Sequence, residues 1–518
     1  MSFLDKQHTI APANFNRWLV PPAALAIHLS IGMAYGFSVF WLPLSKGTGW
    51  KISTLGWTYT LFFVLLGSSA AIFGGWLEKN GPRKAGVVAA LCWSGGLFIS
   101  ALGVYWHQIW MLWLGAGVIG GCGLGLGYIS PVSTLIKWFP DKRGMATGMA
   151  IMGFGGGAMI GAPLADKLMK YYATPTSVGV WETFVTLGVI YLVAMLAGAF
   201  TYRVPAPGWK PHGWTAPAPT ENAMITRGHV HVNVAHRAPQ FWLLWAVLCL
   251  NVSAGIGIIG MASPMLQEVF GGKLIGIAEP LSALTTEQKA KVASIGAGFA
   301  GLLSLFNIGG RIFWASLSDK IGRKRTYHIF FALGLALYIA AAFAGGARNI
   351  FVFVALFCII LTMYGGGFAT IPAYLADLFG TQFVGAIHGR LLTAWSTAGI
   401  LGPVLVNYLR EFKLSRGIAP EAAYNVTLYV LAGLLFLGFI SNLLVRPVDK
   451  HHFMSEDELE EEWQLTKGKA AATTPTGFES AKASATSWLG VATGWTCVGI
   501  PLAWGILKTV EKAVTLIR

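Results

Sequence analysis

Apolar stretches of about 20 residues or longer recur along the whole sequence, and each can cross the ~30 Å hydrocarbon core of a bilayer as a helix. We count twelve of them, in two groups of six. The first group covers residues 18–44, 55–77, 85–105, 109–134, 145–169 and 181–202, and the second covers residues 241–269, 291–317, 326–345, 349–376, 386–409 and 424–445. The chain is therefore predicted to be an all-α membrane protein with two six-helix bundles.

The composition supports the same fold class. Hydrophobic residues make up 55% of the 518 residues and charged residues only 11%, whereas about 25% of the residues of a typical soluble domain are charged. The 65 glycines suit helices that pack closely in lipid. The five cysteines lie inside apolar stretches without metal-ligand spacing, so we predict no metal and no other cofactor.

The net charge of +15 comes mostly from basic residues in the short links between spans. By the positive-inside rule we expect the N-terminus in the cytoplasm, and this interpretation of the basic links leaves no need for a nucleic-acid partner. We further expect a monomeric, multi-pass protein that is embedded in the lipid bilayer of the cell inner membrane. The expected segments are a cytoplasmic segment 1–17, an N-terminal half 18–202, a cytoplasmic linker 203–240, a C-terminal half 241–446, a polar acidic tail 447–486 and an apolar helix 487–518. Two alternatives stay open for the last segment, a thirteenth span or an interfacial helix.

The link after span two reappears after span eight. Residues 78–84 (EKNGPRK) and 319–325 (DKIGRKR) share an acid, a glycine three residues later and basic residues after it. Pro131 in span four and Pro372 in span ten match at the same offset of about 240 residues. Two parallel six-helix repeats produce such a pattern.

These links resemble the loop signature of the major facilitator superfamily, and the resemblance implies that fold for residues 18–446. An acid at a helix end can pair with a basic residue and hold one face of the protein closed. We expect such a conformational gate from four residues of the links: Glu78, Arg83, Asp319 and Arg323. The alternative is ordinary charge at a membrane interface.

Arg311 lies deep in the predicted spans. It precedes Asp319, at the end of span eight, by eight residues, which places it roughly 12 Å inside the membrane. Intramembrane charges are costly and usually functional. No acid lies in the core of the spans to pair with Arg311, so we expect the substrate to supply a carboxylate, which the planar guanidinium matches. Asn307 lies one turn away on the same face. The alternative is a side chain that reaches back to the surface.

Four segments resemble the oxalate/formate antiporter family, whose members include oxalate:formate exchangers and lactate and pyruvate carriers: residues 32–40 (GMAYGFSVF), 306–311 (FNIGGR), 371–380 (IPAYLADLFG) and 391–395 (LLTAW). The resemblance implies that Arg311 clamps a carboxylate and that Asn307 binds the same ligand. It also implies a set of cavity walls: Tyr35, Tyr128, Tyr364, Leu392 and Trp395. Phe368 follows Tyr364 by four residues and shares its face. Ordinary packing is the alternative for the aromatic residues.

One position departs from the oxalate-exchanging members, which resemble this chain but carry a lysine in span eleven where Trp395 stands here. A dianion would leave one charge unpaired in a low-dielectric cavity, which costs several kcal/mol. We therefore expect a secondary transporter of small monocarboxylates such as lactate, pyruvate or formate. An oxalate:formate exchanger is the first alternative. A nitrate or nitrite porter is another, but span two has no Lys or Arg between Leu55 and Leu77.

The coupling mode stays open between proton symport and anion exchange. His28 lies about ten residues into span one, and an imidazole titrates near pH 6.5, which suits a proton carrier; a hydrogen-bonded packing residue is the alternative. A non-transporting receptor of the same fold is a further alternative. No nucleophile elbow or phosphate loop is present, so we expect no enzyme.

Overall fold

The computed structural model describes residues 3–12, 14–206, 209–214, 224–467 and 485–513. Over these residues the chain is helical, with two isolated β-bridges and no sheet, so the all-α prediction is confirmed. The first half contains α1 (Arg17–Phe40), α2 (Ile52–Asn80), α3 (Pro82–Tyr105), α4 (Ile109–Trp138), α5 (Arg143–Tyr172) and α6 (Val180–Thr201). The second half contains α7 (Pro239–Phe270), α8 (Thr286–Ile321), α9 (Arg323–Gly346), α10 (Ile350–Phe379), α11 (Val384–Leu391), α12 (Thr393–Ser415) and α13 (Pro420–Leu444). Two more helices follow, α14 (Glu456–Lys467) and α15 (Ala485–Ala513).

Twelve helices in the described part of the chain are long and apolar enough to cross a membrane. They correspond to predicted spans one to ten and twelve, together with α15. Predicted span eleven is built differently, because it consists of α11 and α12, which meet at Leu392 and are less apolar. One of its polar side chains joins the two halves, because the Ser396 hydroxyl on α12 donates a hydrogen bond to the Phe63 carbonyl oxygen on α2 at 2.7 Å.

The two repeated links adopt the same backbone turn. Gly81, between α2 and α3, has φ 90° and ψ 163°, and Gly322, between α8 and α9, has φ 89° and ψ 148°. A positive φ of this size is accessible to glycine and strained for other residues, so the glycine in each link is required by its geometry. We call the end of the bundle that carries these turns, together with residues 203–206, 209–214 and 224–238, the linker end.

Glycines allow the two halves to approach closely. On α5, a Cβ built at Gly148 would lie 2.7 Å from the Arg311 carbonyl oxygen on α8. On α2, a Cβ at Gly67 would lie 2.6 Å from the Leu392 carbonyl oxygen. Both distances are too short for any side chain, so the contacts between α5 and α8 and between α2 and α11 depend on glycine.

The C-terminal helix α15 lies along the seam between the halves. Its Gly494 faces Pro22 on α1, its Leu502 approaches Gly156 on α5, and its Thr509 approaches Gly301 on α8. In addition, the Lys167 ammonium on α5 lies 5.1 Å from the centre of the Trp504 ring. These contacts join α15 to α1, α5 and α8, and α15 is long and apolar enough to cross a membrane. The choice between a thirteenth span and an interfacial helix stays a prediction.

Candidate functional site

Arg311 lies on α8 with its side chain fully buried. Its Nη1 donates a hydrogen bond to the Ile151 carbonyl oxygen on α5 at 2.7 Å, and its Nε donates to Oδ1 of Asn307 at 3.2 Å. The guanidinium is therefore fixed inside the bundle, between the two halves, and does not reach back to the surface. The Asn307 contact joins residues one turn apart on one helix, as their spacing indicates.

The close approach of α5 to this arginine again depends on glycine. A Cβ built at Gly155 would lie 3.2 Å from Arg311 Nε and 3.3 Å from its Cζ, which is a tight contact. By contrast, a Cβ at Gly309, on α8 itself, would meet nothing within 4 Å. The glycine-rich part of α5 thus leaves room for the guanidinium.

One nitrogen of the guanidinium has no protein partner. Nη2 of Arg311 is buried and forms no hydrogen bond within the described residues. Within the described residues, the carboxylates that form ion pairs are paired with basic residues other than Arg311. Glu268, for example, contacts Arg410 and accepts a hydrogen bond from the Tyr424 hydroxyl at 2.8 Å. Nor do three or more His, Cys, Asp or Glu side chains among those residues converge where they could hold a metal ion. The arginine therefore presents a free donor that suits an anion.

The predicted aromatic wall residues converge beside this arginine. The Phe368 ring centre lies 5.6 Å from Arg311 Cζ, and the Phe368 and Trp395 ring centres are 4.4 Å apart. Tyr364 packs on Phe368 with ring centres 5.3 Å apart, and Tyr128 packs on Trp395 at 5.2 Å. Both halves contribute to the cluster, since Tyr128 belongs to α4 and the other side chains belong to α8, α10 and α12.

The other two predicted wall residues adjoin the cluster. Tyr35 lies in the last, 3-10 part of α1, with its ring centre 6.3 Å from that of Trp395. Leu392 is fully buried at the junction of α11 and α12, where its carbonyl oxygen faces Gly67 of α2. The wall residues predicted from the resemblance thus lie in one region of the bundle.

This region holds polar atoms that lack hydrogen-bond partners. Beside Nη2 of Arg311, four buried groups form no hydrogen bond of ordinary length and angle within the described residues: the hydroxyls of Tyr35, Tyr128 and Tyr364, and Nε1 of Trp395. The Tyr35 hydroxyl lies close enough to Arg311 and to Tyr364 to interact with both. Buried polar atoms in folded proteins are nearly always paired, so a cluster of exceptions needs an explanation. All of these groups can donate a hydrogen bond, and together they form an environment for an acceptor such as a carboxylate.

Two aromatic residues of the cluster were not predicted. Phe154 on α5 packs between Tyr35, Tyr128 and Trp395, with ring centres 5.0, 5.4 and 5.3 Å apart. Phe63 on α2 lies 5.7 Å from Trp395, centre to centre. A signal for Phe154 exists in the sequence, because it is the single aromatic residue within the glycine-rich residues 148–161.

His28, the predicted candidate for proton coupling, is fully buried on α1 beside this cluster. Its Nδ1 lies 2.5 Å from the Ala150 carbonyl oxygen, and its Nε2 lies 3.1 Å from the Tyr128 carbonyl oxygen. A neutral imidazole has one N–H group, so it can donate to one of these carbonyls, whereas a protonated ring can donate to both. The residue thereby connects α1 with α4 and α5.

The predicted gate residues of the second link bridge the two halves at the linker end. Asp319 accepts hydrogen bonds from the backbone N–H groups of Gly144 at 2.9 Å and Met145 at 3.0 Å, at the first turn of α5. Arg323 contacts Asp319 at 2.5 Å and donates to Asp377 at 3.2 Å. The N-terminus of a helix carries a partial positive charge, so the Asp319 carboxylate stabilises the contact between the halves.

A second contact between the halves joins residues that were not assigned to the gate. Arg143, the first residue of α5, donates to Oδ1 of Asp377 on α10 at 3.1 Å. Asp377 thus connects Arg143 of the first half with Arg323 of the second. The linker end of the structure is closed by this network.

The first link is arranged differently. Glu78 pairs with Lys137 at 2.6 Å and accepts a hydrogen bond from the Ser133 hydroxyl at 2.9 Å, both on α4 of the same half. Arg83 donates to two backbone carbonyl oxygens, those of Phe3 and Tyr202, at 2.9 and 3.1 Å. The two links are therefore similar in sequence and in backbone turn, but the contacts between the halves described above are made by the second.

The N-terminal segment covers the first link. The Lys6 ammonium donates a hydrogen bond to the Glu78 carbonyl oxygen at 2.7 Å. Burial lowers the pKa of Lys6 to about 8, since desolvation disfavours the ammonium, and the nearby Lys137 lowers it further while Glu78 partly raises it. Through this hydrogen bond, Lys6 joins the N-terminal segment to the end of α2.

Comparisons with known proteins agree with this architecture. The sequence profile of the Major Facilitator Superfamily matches residues 23–403 and 269–511. The oxalate:formate antiporter of Oxalobacter formigenes is 26% identical over 453 residues, which cover 86% of this chain and 96% of that protein. The apicoplast pyruvate carrier 1 of Toxoplasma gondii is 28% identical over 363 residues, 61% of this chain and 62% of that protein. The structure of the transporter FucP in the outward conformation covers 82% of this chain and 99% of its own, at 14% identity and a TM-score of 0.57, so the two share a fold.

Proposed function

The chain belongs to the Major Facilitator Superfamily, as its repeated links predict, and on this premise we propose that it is a secondary transporter of small monocarboxylates. The observation that carries the proposal is Nη2 of buried Arg311, which forms no hydrogen bond within the described residues and belongs to a guanidinium beside the Tyr35 hydroxyl, with Tyr364 next to that hydroxyl. A carboxylate bound there would receive a charge-assisted hydrogen bond from the arginine and further hydrogen bonds from the phenols. It would also neutralise a buried charge that has no acidic partner in the described residues.

The rest of the site favours a short ligand with one charge. Phe368, Trp395 and Phe154 enclose the polar groups with aromatic faces, which accept a small apolar part such as a methyl group. Arg311 Cζ lies 5.6 Å from the centre of the Phe368 ring, and Trp395 occupies the position where we expect a lysine in oxalate carriers. A dicarboxylate would therefore bury a second charge without a matching cation.

The names of the relatives support this substrate class. One is an oxalate:formate antiporter, and another is a pyruvate carrier. Lactate, pyruvate and formate are the substrates we propose for this chain.

Transport would proceed by alternating access of the two halves. The network around Asp319 and Asp377 holds the linker end closed, and its opening would expose the Arg311 site from that side. Because basic residues are concentrated in the links at this end, we propose that the linker end and the N-terminus lie in the cytoplasm. We further propose that the protein is a monomer in the cell inner membrane.

Uptake into proteoliposomes tests the proposal. Purified protein is reconstituted and offered labelled lactate, pyruvate, formate, oxalate or nitrate, with and without a pH gradient, and protein-free liposomes serve as the control. We expect saturable uptake of at least one monocarboxylate, at a rate clearly above those of oxalate and nitrate. Preferential uptake of oxalate would overturn the monocarboxylate assignment, and uptake of nitrate alone would overturn the carboxylate site.

A further inference from the structure

A second buried histidine lies close to the site without any assigned role. His388 on α11 is only 1% exposed, and neither of its ring nitrogens has a hydrogen-bond partner within the described residues. A neutral imidazole has both a donor and an acceptor nitrogen, and burying both unpaired is unfavourable. His28 differs in this respect, because both of its nitrogens face carbonyl oxygens. No described protein group occupies the nitrogens of His388, so the ring can take a proton when a nearby negative charge offsets the cost of burying an imidazolium.

The position of His388 connects the site with the linker end. Its ring centre lies 5.9 Å from that of Tyr128, whose hydroxyl is also unpartnered and whose ring packs on Trp395 at 5.2 Å. One turn before it on α11 is Gly385, where a built Cβ would lie 2.5 Å from Oε1 of Glu78. His388 thus lies between the aromatic cluster and Glu78, which is at the linker end.

Among the described residues near His388, each acid already has a basic partner, so none is free to hold a proton on the imidazole permanently. Tyr128 faces it from α4, and His28 on α1 packs on the same Tyr128 ring, with ring centres 5.2 Å apart. Glu78 on α2 lies one turn closer to the linker end, where Lys137 pairs with it, and Asp377 at the end of α10 is held by two arginines. An anion that enters the site would therefore be the partner that favours protonation of the imidazole.

We propose that His388 is the proton-binding residue that couples the proposed transport to the proton gradient, so that the chain works as a proton:monocarboxylate symporter. This inference rests on the proposed function. A ring nitrogen of His388 takes a proton from water on the outer side while the carboxylate binds near Arg311, and it returns the proton to water on the inner side as the carboxylate leaves. No other bond forms or breaks. Since binding energies are reciprocal, the anion strengthens proton binding as much as the proton strengthens anion binding.

The charges of the site agree with such a cycle. The empty site has the single positive charge of Arg311, with His388 neutral. The loaded site adds one carboxylate and one proton, so its net charge is the same. The empty and the loaded carrier therefore have equal charge when they change conformation, so the proposed cycle is electroneutral. An anion exchanger, by contrast, changes conformation only while an anion is bound, so its empty form need not change conformation.

Two assays on the same proteoliposomes separate the coupling residue from the binding site. Exchange is measured as entry of labelled monocarboxylate against an internal unlabelled pool at equal pH, and symport as accumulation driven by an inward proton gradient. The variants are H388Q, H28Q and H328Q, since glutamine keeps a polar side chain but does not titrate. His328 is the matched control, because it lies partly exposed on α9, has an unpartnered Nε2 and packs on Phe439 away from the site.

We expect H388Q to lose gradient-driven accumulation at least tenfold while exchange remains measurable, and H328Q to keep both activities. Gradient-driven accumulation by H388Q at the wild-type level, or its loss in H28Q alone, would overturn the assignment. If H388Q does not fold, proton uptake by the wild type is measured instead. Detergent-solubilised wild-type protein in weak buffer with a pH indicator should take up protons when the exchanged monocarboxylate is added. An unchanged pH would overturn coupling, whereas failure of the wild type in both transport assays would instead overturn the proposed function.

Discussion

Arg311 of the second half donates a hydrogen bond from Nη1 to the Ile151 carbonyl oxygen of the first half, at 2.7 Å. The residue proposed to bind the substrate is therefore also a contact between the two parts that must move apart. Its neighbouring Nη2 is free, so an anion there would bind beside a bond that breaks when α5 and α8 separate. This arrangement gives a direct physical link between occupancy of the site and the conformation of the halves.

The first prediction concerns the guanidinium itself. R311K should reduce monocarboxylate uptake at least tenfold, because an ammonium cannot contact Ile151, Asn307 and a carboxylate with fixed planar geometry. Uptake is measured in proteoliposomes, and R416K, at an exposed arginine next to Phe412, is the control. Equal uptake by the R311K and R416K proteins would contradict the role of Arg311.

Two glycines near the arginine provide a matched pair. G155A should raise the half-saturating substrate concentration several-fold, since the new Cβ would lie 3.2 Å from Arg311 Nε and displace the guanidinium. G309A adds the same methyl group where nothing lies within 4 Å, so its transport should match the wild type. Concentration-dependent uptake distinguishes the two variants, and equal effects of both would show that the fit of α5 around Arg311 is unimportant.

The identity of residue 395 should influence the choice between one and two carboxylates. W395K places a second cation next to Phe368, where the ring of Trp395 lies 4.4 Å away in the wild type. We expect oxalate to compete better against formate in this variant, because the second carboxylate gains a partner. W395M removes the ring without adding charge and is the control; the same competition in both variants would refute the single-cation argument.

The gate should weaken when its carboxylate is neutralised. D319N retains an acceptor oxygen for one of the two N–H groups of Gly144 and Met145 and loses the other acceptor, together with the ion pair to Arg323. Loss of the charge at the α5 N-terminus by itself costs about 0.3–1 kcal/mol and up to ~2 in buried settings. The population open at the linker end should rise by a few-fold. The rate of maleimide modification of T147C, in a chain without its five native cysteines, measures this population.

The matched control for the gate is D166N, since Asp166 pairs with Lys170 in an exposed i,i+4 pair on the same helix. That pair lies at the end of α5 far from the linker end, so its loss should leave the modification rate unchanged. A D319N rate no greater than the D166N rate would argue against the gate.

The C-terminal helix should contribute to the stability of the bundle through close packing. A Cβ at Gly505 would lie 3.0 Å from the Met159 carbonyl oxygen on α5, whereas one at Gly499 would meet nothing within 4 Å. G505V should therefore destabilise the protein by about 1–3 kcal/mol through overpacking, and G499V should have little effect. Melting temperatures in detergent measure both, and identical values would mean that α15 does not pack on α5 in solution.

Much of the fold was accessible from the sequence because it depends on local patterns. The length of an apolar run decides whether a helix can cross a bilayer, and the glycine in each link decides the turn, as the matching dihedral angles of Gly81 and Gly322 show. The depth of Arg311 and the position of Asn307 follow from helical spacing along a single helix. The pairing of these two residues was therefore predictable without knowledge of any other helix.

Contacts between helices were decided by the tertiary structure. Ile151 and Arg311 are 160 residues apart, and the sequence does not say which faces of α5 and α8 meet. The same reason explains why Phe154 and His388 were missed, why Asp319 bridges the halves while Glu78 pairs within one, and why α15 lies on the seam. Spacing along one helix is a local property of the chain, whereas the packing of helix faces is settled only when all helices are assembled, with glycines setting how close they come.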